Sequence, residues 1–171
     1  MLKTLMIVAY LMSRPVTEPT TAPVFTISSP AFVNGATIPT VYTCRGKDIS
    51  MPLNWSGLPK GTKSLALIIV DPDVPRIAWY HWAVYNIPPS VNGFKKKAQL
   101  PTNAIVVANS WGNKKYQGPC PPSGKHRYFI KLYALDIMLP TTNISTIPEL
   151  REAMRSHIID TTQTMGRSSA N

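Results

Sequence analysis

The sequence predicts an all-β fold, an antiparallel β-sandwich with one helix near its C-terminus. Short apolar runs ended by proline, glycine or serine recur along the chain, and their Val, Ile and Tyr content is typical of strands. One late segment has the spacing and start signals of a helix. A length of 171 residues, 44% of them hydrophobic, suits one domain with a substantial core. Many strands followed by a single helix indicate a sandwich.

The start of the chain is predicted to lie outside this domain. Residues 1–12 are an apolar segment too short to span a bilayer. They are either the hydrophobic part of an export signal or an over-extended gene start, with translation beginning at Met12. Residues 13–23 are rich in proline and threonine and are predicted to be a linker. The domain is therefore residues 24–171, and its location is open between the cytoplasm and export or membrane anchoring.

Removing residues 1–23 is expected to leave the melting temperature within about 5 °C of that of the full chain, because such a segment contributes little to a core. Thermal unfolding of both proteins measures the difference. A larger decrease would mean that the segment packs onto the domain.

The strands are predicted from their apolar runs and from the turn residues that end them. They span residues 24–27, 40–43, 64–70, 81–87, 104–109, 128–135 and 158–165. The third run is almost entirely apolar, so both of its faces should be buried, and it leads directly into Asp71. Alternation along residues 81–87 predicts one face with His81, Ala83 and Tyr85 and the other with Trp82, Val84 and Asn86.

The single helix is predicted to begin after Thr146 and to end near His157. Thr146 and Glu149 have the spacing of a capping box, and apolar residues follow at intervals of four. Between the strands, residues 111–125 form a long loop whose prolines should make it stiff. A loop of this length without its own secondary structure is usually functional or disordered.

The charge pattern predicts an anionic ligand. The net charge is +10, and no Asp or Glu occurs from residue 74 to residue 135. Asp71 and Asp73 lie at the edge of this basic region, and His81 and His126 lie within it. Carboxylate and imidazole groups together can recognise a ligand that carries a phosphate and an amine. Taken singly, Asp71 could instead start a turn and His81 could be a core residue. No signature of specific nucleic-acid binding accompanies the charge.

Four motifs in order resemble the phosphatidylethanolamine-binding protein family, specifically its bacterial and archaeal branch of Raf-kinase-inhibitor-like proteins. They are Tyr42-Thr43-Cys44-x-Gly46-x-Asp48, Asp71-Pro72-Asp73-x-Pro75, Trp79-x-His81-Trp82, and Gly118-Pro119-x-Pro121-Pro122-x-Gly124-x-His126-Arg127-Tyr128. The resemblance implies a Greek-key sandwich and a non-enzymatic binding protein without metal or cofactor. At the C-terminus, Gly166-Arg167-Ser168-Ser169 lacks the aromatic residue usual in the family.

The resemblance also implies which residues bind a ligand. They are Asp71, His81, Gly118, Pro119, His126 and Tyr128, with Trp79 as an apolar wall and Asp73 as a further candidate. His157 lies outside these motifs and is predicted to be a packing or surface residue. Cys44 and Cys120 match positions that are often cysteine in related sequences, and they either form a disulfide or remain buried thiols.

The partners implied are phosphate or a phosphorylated headgroup, together with a protein target such as a kinase or protease; a homodimer is left open. Two other functions remain as alternatives. Two histidines and one carboxylate are also the ligands of a non-haem iron enzyme. A peripheral membrane protein could bind through Lys95, Lys96 and Lys97 together with the N-terminal apolar run.

Overall fold

Within residues 23–170, which the computed structural model describes, eight strands and one α-helix make up the regular structure, with a short 3₁₀ helix. The predictions for residues 1–22 lie outside this part. The strands are β1 (Thr26–Ser28), β2 (Leu53–Ser56), β3 (Ser64–Asp71), β4 (Trp79–Ile87), β5 (Gly93–Phe94), β6 (Ile105–Val106), β7 (Lys125–Leu135) and β8 (Ile158–Ser169), and helix α1 (Ile147–Met154) precedes the last of them.

The strands form two antiparallel sheets. The smaller sheet has the order β1-β2-β5 and the larger has the order β6-β4-β3-β7-β8. In the larger sheet β3, β4 and β6 are successive neighbours, and β7 returns over a long connection to lie beside β3. This is Greek-key connectivity. The predicted sandwich with a late helix is therefore confirmed.

The larger sheet has a core on each face. Leu65, Leu67 and Ile69 of β3 pack toward the smaller sheet, whereas Ala66 and Ile68 pack toward α1 and the loop before it. All eight residues of β3 are buried, as its apolar sequence predicts. The segment that leads into Asp71 is thus fixed on both sides.

The predicted strand at residues 40–43 is wrong. Thr40–Tyr42 is a 3₁₀ helix that follows Pro39, and the backbone N–H groups of Tyr42 and Thr43 donate to carbonyls three residues earlier. The Thr43 hydroxyl also donates to the Thr40 carbonyl at 2.9 Å. These local hydrogen bonds replace the sheet pairing that β-branched residues would favour. The strands β2 and β5 were not predicted. β5 has only two residues, whereas Leu53-Asn54-Trp55-Ser56 of β2 alternates between buried apolar and exposed polar residues and could have been identified.

The helix begins as predicted and ends earlier. Thr146 and Glu149 form the capping box in both directions. The helix ends at Met154 because the N–H groups of Arg155 and His157 donate hydrogen bonds to carbonyls three residues earlier, which is not the α-helical pattern. Strand β8 then starts at Ile158 and continues to Ser169, four residues beyond the predicted end at Met165. No helix within residues 23–170 is long and apolar enough to cross a membrane.

The predicted alternation of β4 holds in the middle of the strand, where Ala83 and Tyr85 share one face and Trp82 and Val84 the other, but two irregularities change it at His81 and Asn86. Ile69 pairs with Trp82 but Val70 pairs with Tyr80, so His81 is an extra residue that turns toward the core between the sheets. A second shift near the end of β4 involves Asn86, whose φ is +56°. Its side chain exchanges two hydrogen bonds of 2.9 Å with the Leu139 backbone, on the α1 side. Bulges of this kind redirect side chains and are frequent beside functional sites.

Candidate functional site

The candidate site lies where β3 ends and where β4 and β7 begin. Asp71 is the last residue of β3 and pairs with Trp79, the first residue of β4. On the other side of β3, β7 begins at Lys125, so that His126 and Tyr128 reach the same end of the sheet. Antiparallel pairing thus brings together side chains that are far apart in the sequence.

A buried hydrogen bond joins Asp71 to His126. The Nδ1 of His126 donates to Oδ2 of Asp71 at 2.8 Å, and Oδ1 of Asp71 accepts the backbone N–H of Asp73 at 2.8 Å. Both carboxylate oxygens therefore have a donor. In this geometry Asp71 orients the imidazole of His126. The sequence instead suggested that the Asp71 carboxylate would bind the amine of a ligand. The second ring nitrogen of His126, Nε2, has no hydrogen bond from any described residue.

The imidazole of His81 is held by the loop before β7. Its Nδ1 lies 2.8 Å from the carbonyl oxygen of Gln117 and 3.0 Å from that of Gly118. Since carbonyl oxygens only accept hydrogen bonds, Nδ1 carries the proton. Burial lowers the pKa of His81, which favours the neutral ring. Its Nε2 is then an acceptor with no hydrogen bond from any residue in 23–170.

Tyr128 supplies a third polar atom without a partner. Its side chain is fully buried, and its ring meets that of His81 edge-on with centroids 5.2 Å apart. The hydroxyl has no hydrogen-bond partner of standard geometry within residues 23–170, although the Asp71 carboxylate and the Cys120 backbone are close enough to influence its pKa. Burial, and then the nearby charge of Asp71, raise the pKa of Tyr128, so the hydroxyl stays a donor. A buried polar atom without a partner is rare and calls for an explanation such as a ligand.

Gly118 and Pro119 place the loop against the early part of the chain. The N–H of Gly118 donates to Oδ1 of Asp48 at 2.6 Å, and the carbonyl of Pro119 accepts the N–H of Cys44 at 3.1 Å. A Cβ atom on Gly118 would lie 2.1 Å from the carbonyl oxygen of Tyr42. Only glycine can approach the backbone this closely.

A disulfide joins Cys44 to Cys120 beside these contacts. The Cα atoms are 5.4 Å apart, although the two residues are separated by 76 positions. Both residues are exposed, which differs from the buried thiols that the sequence left as the alternative. The loop that holds His81 is thus tied covalently to the segment around the 3₁₀ helix.

Trp111 covers the outer side of His81, and Trp79 packs against Trp111. Trp79 contacts Trp111 edge-on at 5.2 Å between ring centroids, and Trp111 contacts His81 at 5.1 Å. Trp111 was not predicted as a site residue and remains 41% exposed. Trp111 lies in a turn that Asn109 fixes, because the Oδ1 of Asn109 accepts the N–H of Trp111 at 3.0 Å. An aromatic residue among turn-forming residues in a basic loop is the signal that could have identified it.

Asp73 is engaged outside the group of histidines. Its carboxylate accepts from Nη2 of Arg127 at 2.6 Å, from Nε at 3.0 Å and from the Arg127 backbone N–H at 2.8 Å. These hydrogen bonds lower the pKa of Asp73. Asp71 and Asp73 therefore fix consecutive residues of β7, and Asp73 has no hydrogen bond to His81 or His126.

The remaining candidates of the alternative functions lie elsewhere. His157 is half-buried and pairs with Asp136 at 2.8 Å. Lys95, Lys96 and Lys97 are exposed and follow β5 in the smaller sheet. In the part of the chain that the structure describes, no three His, Cys, Asp or Glu residues are placed to hold a metal ion.

Comparison with known proteins gives one consistent result. Residues 28–169 match the phosphatidylethanolamine-binding protein family. A UPF0098 protein of Methanothermobacter thermautotrophicus is 43% identical over 140 residues, which cover 80% of this chain and 93% of that protein. A UPF0098 protein of Chlamydia pneumoniae is 44% identical over 143 residues, covering 81% of this chain and 94% of its own length.

Two solved structures are similar in fold and sequence. A homologue of phosphatidylethanolamine-binding protein from Chlamydia trachomatis is 42% identical with a TM-score of 0.82, and the match covers 87% of this chain and 99% of that one. YbcL of E. coli, described as a member of the mammalian family, is 30% identical with a TM-score of 0.80 and coverage of 86% and 99%. The chain therefore belongs to the phosphatidylethanolamine-binding protein family.

Proposed function

We propose that the protein is a non-enzymatic binding protein whose site holds phosphate or the phosphate of a phosphorylated headgroup. The observation that carries this proposal is the group of three polar atoms without partners in the described chain: the Nε2 atoms of His81 and His126 and the hydroxyl of Tyr128. Imidazolium and hydroxyl groups are donors, and phosphate oxygens accept several such bonds at once. Trp79 and the loop at Gly118 and Pro119 would form the walls.

The geometry favours the phosphate of a headgroup over its amine. The carboxylates of Asp71 and Asp73 already accept hydrogen bonds from His126 and Arg127. An ethanolamine group would therefore find few free acceptors. Phosphoethanolamine is expected to bind within about three-fold of inorganic phosphate, or ~0.7 kcal/mol.

A binding role is proposed rather than catalysis because the cysteine sulfurs and the carboxylates near the histidines are already engaged. Both cysteine sulfurs are in the disulfide, and the carboxylates nearest the histidines orient other side chains. We extend the proposal to a protein target such as a kinase or protease. Residues 122–125 are exposed and form the end of the loop that the prolines and the disulfide fix. This favours such a role, since preorganised loops are typical of protease inhibitors.

The affinity for sulfate is expected to fall as the pH rises. Neutral His81 presents an acceptor at Nε2, so a fully ionised anion binds only after that atom takes up a proton. Burial lowers the pKa of His81 in the free protein below its usual 6.5, and a bound anion raises it. Affinity is then greatest below the free-protein pKa and falls about ten-fold per pH unit up to the bound-state pKa.

Calorimetry with sulfate and with phosphate at several pH values tests the proposal. Sulfate keeps its charge across the range, so its pH dependence reports the protein alone. An affinity that stays constant between about pH 5 and pH 8 would rule out histidine protonation as the basis of binding.

A further inference from the structure

A second cleft lies on the opposite face of the larger sheet, between the sheet and α1. Its volume is about 450 Å³, which falls within the range of small-molecule sites. It opens beside the end of α1 and is separate from the histidines. Its lining includes Tyr80, Arg127, Phe129, Lys131, Tyr133 and Arg151.

Strand alternation separates this cleft from the candidate anion site. In β7, Tyr128 and Ile130 pack into the core between the two sheets. Phe129 and Lys131 point to the other face, where they line the cleft. A ligand in the cleft would therefore be divided from His81 and His126 by the sheet itself.

The floor of the cleft is aromatic and flanked by cations. The guanidinium carbon of Arg127 lies 5.8 Å from the centroid of the Phe129 ring, and Nζ of Lys131 lies 5.9 Å from it. Tyr80 and Tyr133 add two further rings to the lining. Flat aromatic side chains of this kind suit a ligand with its own ring, because offset or edge-on ring pairs are favourable.

The charge of the cleft is positive and only partly compensated. None of its lining residues is Asp or Glu. Arg127 is paired with Asp73, but no carboxylate within residues 23–170 pairs with Lys131 or Arg151. The guanidinium of Arg151 is fixed by a hydrogen bond of 3.0 Å from Nη1 to the hydroxyl of Tyr80. Two cations are thus available for an anion at the edge of an aromatic floor.

We propose that this cleft binds a small aromatic anion, in which a flat ring carries a carboxylate, sulfonate or phosphate. The anionic group would lie between Lys131 and Arg151, and the ring would pack on Phe129 and Tyr133. Arginine offers paired donors to such groups, and lysine adds a second charge. A neutral ring would contact only the aromatic side chains of the cleft, and a small anion would contact only its cations, so a ligand with both groups should bind most tightly.

NMR titration of the ¹⁵N-labelled full chain with 2-naphthoate tests the proposal, with acetate as the anion alone and 2-naphthalenemethanol as the neutral ring. We expect saturable shifts at the backbone amides of Val70, Tyr80, Phe129 and Lys131 with naphthoate. Acetate and the alcohol should bind at least ten-fold more weakly. Equal affinity for naphthoate and the neutral alcohol, or no saturable shift at these amides, would overturn the proposal.

The double variant Lys131→Gln/Arg151→Gln should bind naphthoate at least ten-fold more weakly than the unchanged protein. Lys95→Gln, directly after β5 of the smaller sheet, is the matched control and should bind it equally well. If the double variant does not fold, Lys131→Gln alone carries the test with an expected loss of at least three-fold. Unchanged affinity in the folded variant would show that the cleft does not select for charge.

Discussion

Replacing both His81 and His126 by alanine is expected to reduce phosphate affinity by at least a hundred-fold at about pH 5, near the acid end of the titration. Each imidazolium would provide a charge-assisted hydrogen bond worth roughly 1.5–3 kcal/mol, and two such bonds exceed a factor of one hundred. Isothermal calorimetry of the folded variant measures the loss. The two side chains meet different partners, Asp71 and the carbonyls of residues 117 and 118, so each single variant should retain part of the affinity.

His157→Ala is the matched control for this experiment. His157 also pairs with an aspartate, Asp136, but it lies after α1 and away from the site. Its removal should leave phosphate affinity unchanged. Phosphate binding of equal strength in the double variant and in the unchanged protein would exclude the proposed site.

Removing the disulfide is expected to have the largest effect on stability. The variant Cys44→Ala/Cys120→Ala should lose about 2–5 kcal/mol in free energy of unfolding, because the bond closes a long loop in the unfolded chain. For a protein of this size this corresponds to a melting temperature lower by roughly 5–15 °C. Thermal unfolding with and without reductant measures it, and reduced unchanged protein should match the variant.

Both cysteines are exposed, so their replacement by alanine leaves no cavity in the core. The change in stability therefore reports the loss of the bond itself. Ser123→Ala, in the same loop and also exposed, should leave the melting temperature unchanged. An oxidised protein that melts at the same temperature as the cysteine-free variant would show that the bond contributes nothing to stability.

Much of the larger sheet could be predicted because its strands carry strong local signals. The apolar run of β3 is buried on both faces and ends at Asp71, and the capping box at Thr146 starts α1. In contrast, β2 and β5 are short and owe their conformation to each other and to β1. Their pairing depends on tertiary contacts, although the alternation of Leu53-Asn54-Trp55-Ser56 is a local signal for β2 itself.

The side-chain directions at the site could not be predicted for the same reason. A strict period of two places His81 with Tyr85, but the bulge between Ile69 and Val70 turns His81 to the face of Tyr128. Asp73 was a further candidate for the site, but it binds Arg127 at the exposed edge. Register shifts and choice of partner depend on strands that lie far away in the chain.

The return of β7 to the side of β3 has a consequence for synthesis on the ribosome. β3 and β4 are complete by residue 87, but the strand that covers the other edge of β3 begins only at Lys125. Until then the most apolar segment of the protein presents an unpaired edge, and open edges of this kind template aggregation. We expect chaperones to bind the nascent chain during this interval. That interval closes when β7 emerges with His126, and the same event brings His126 to Asp71, 55 residues earlier in the chain.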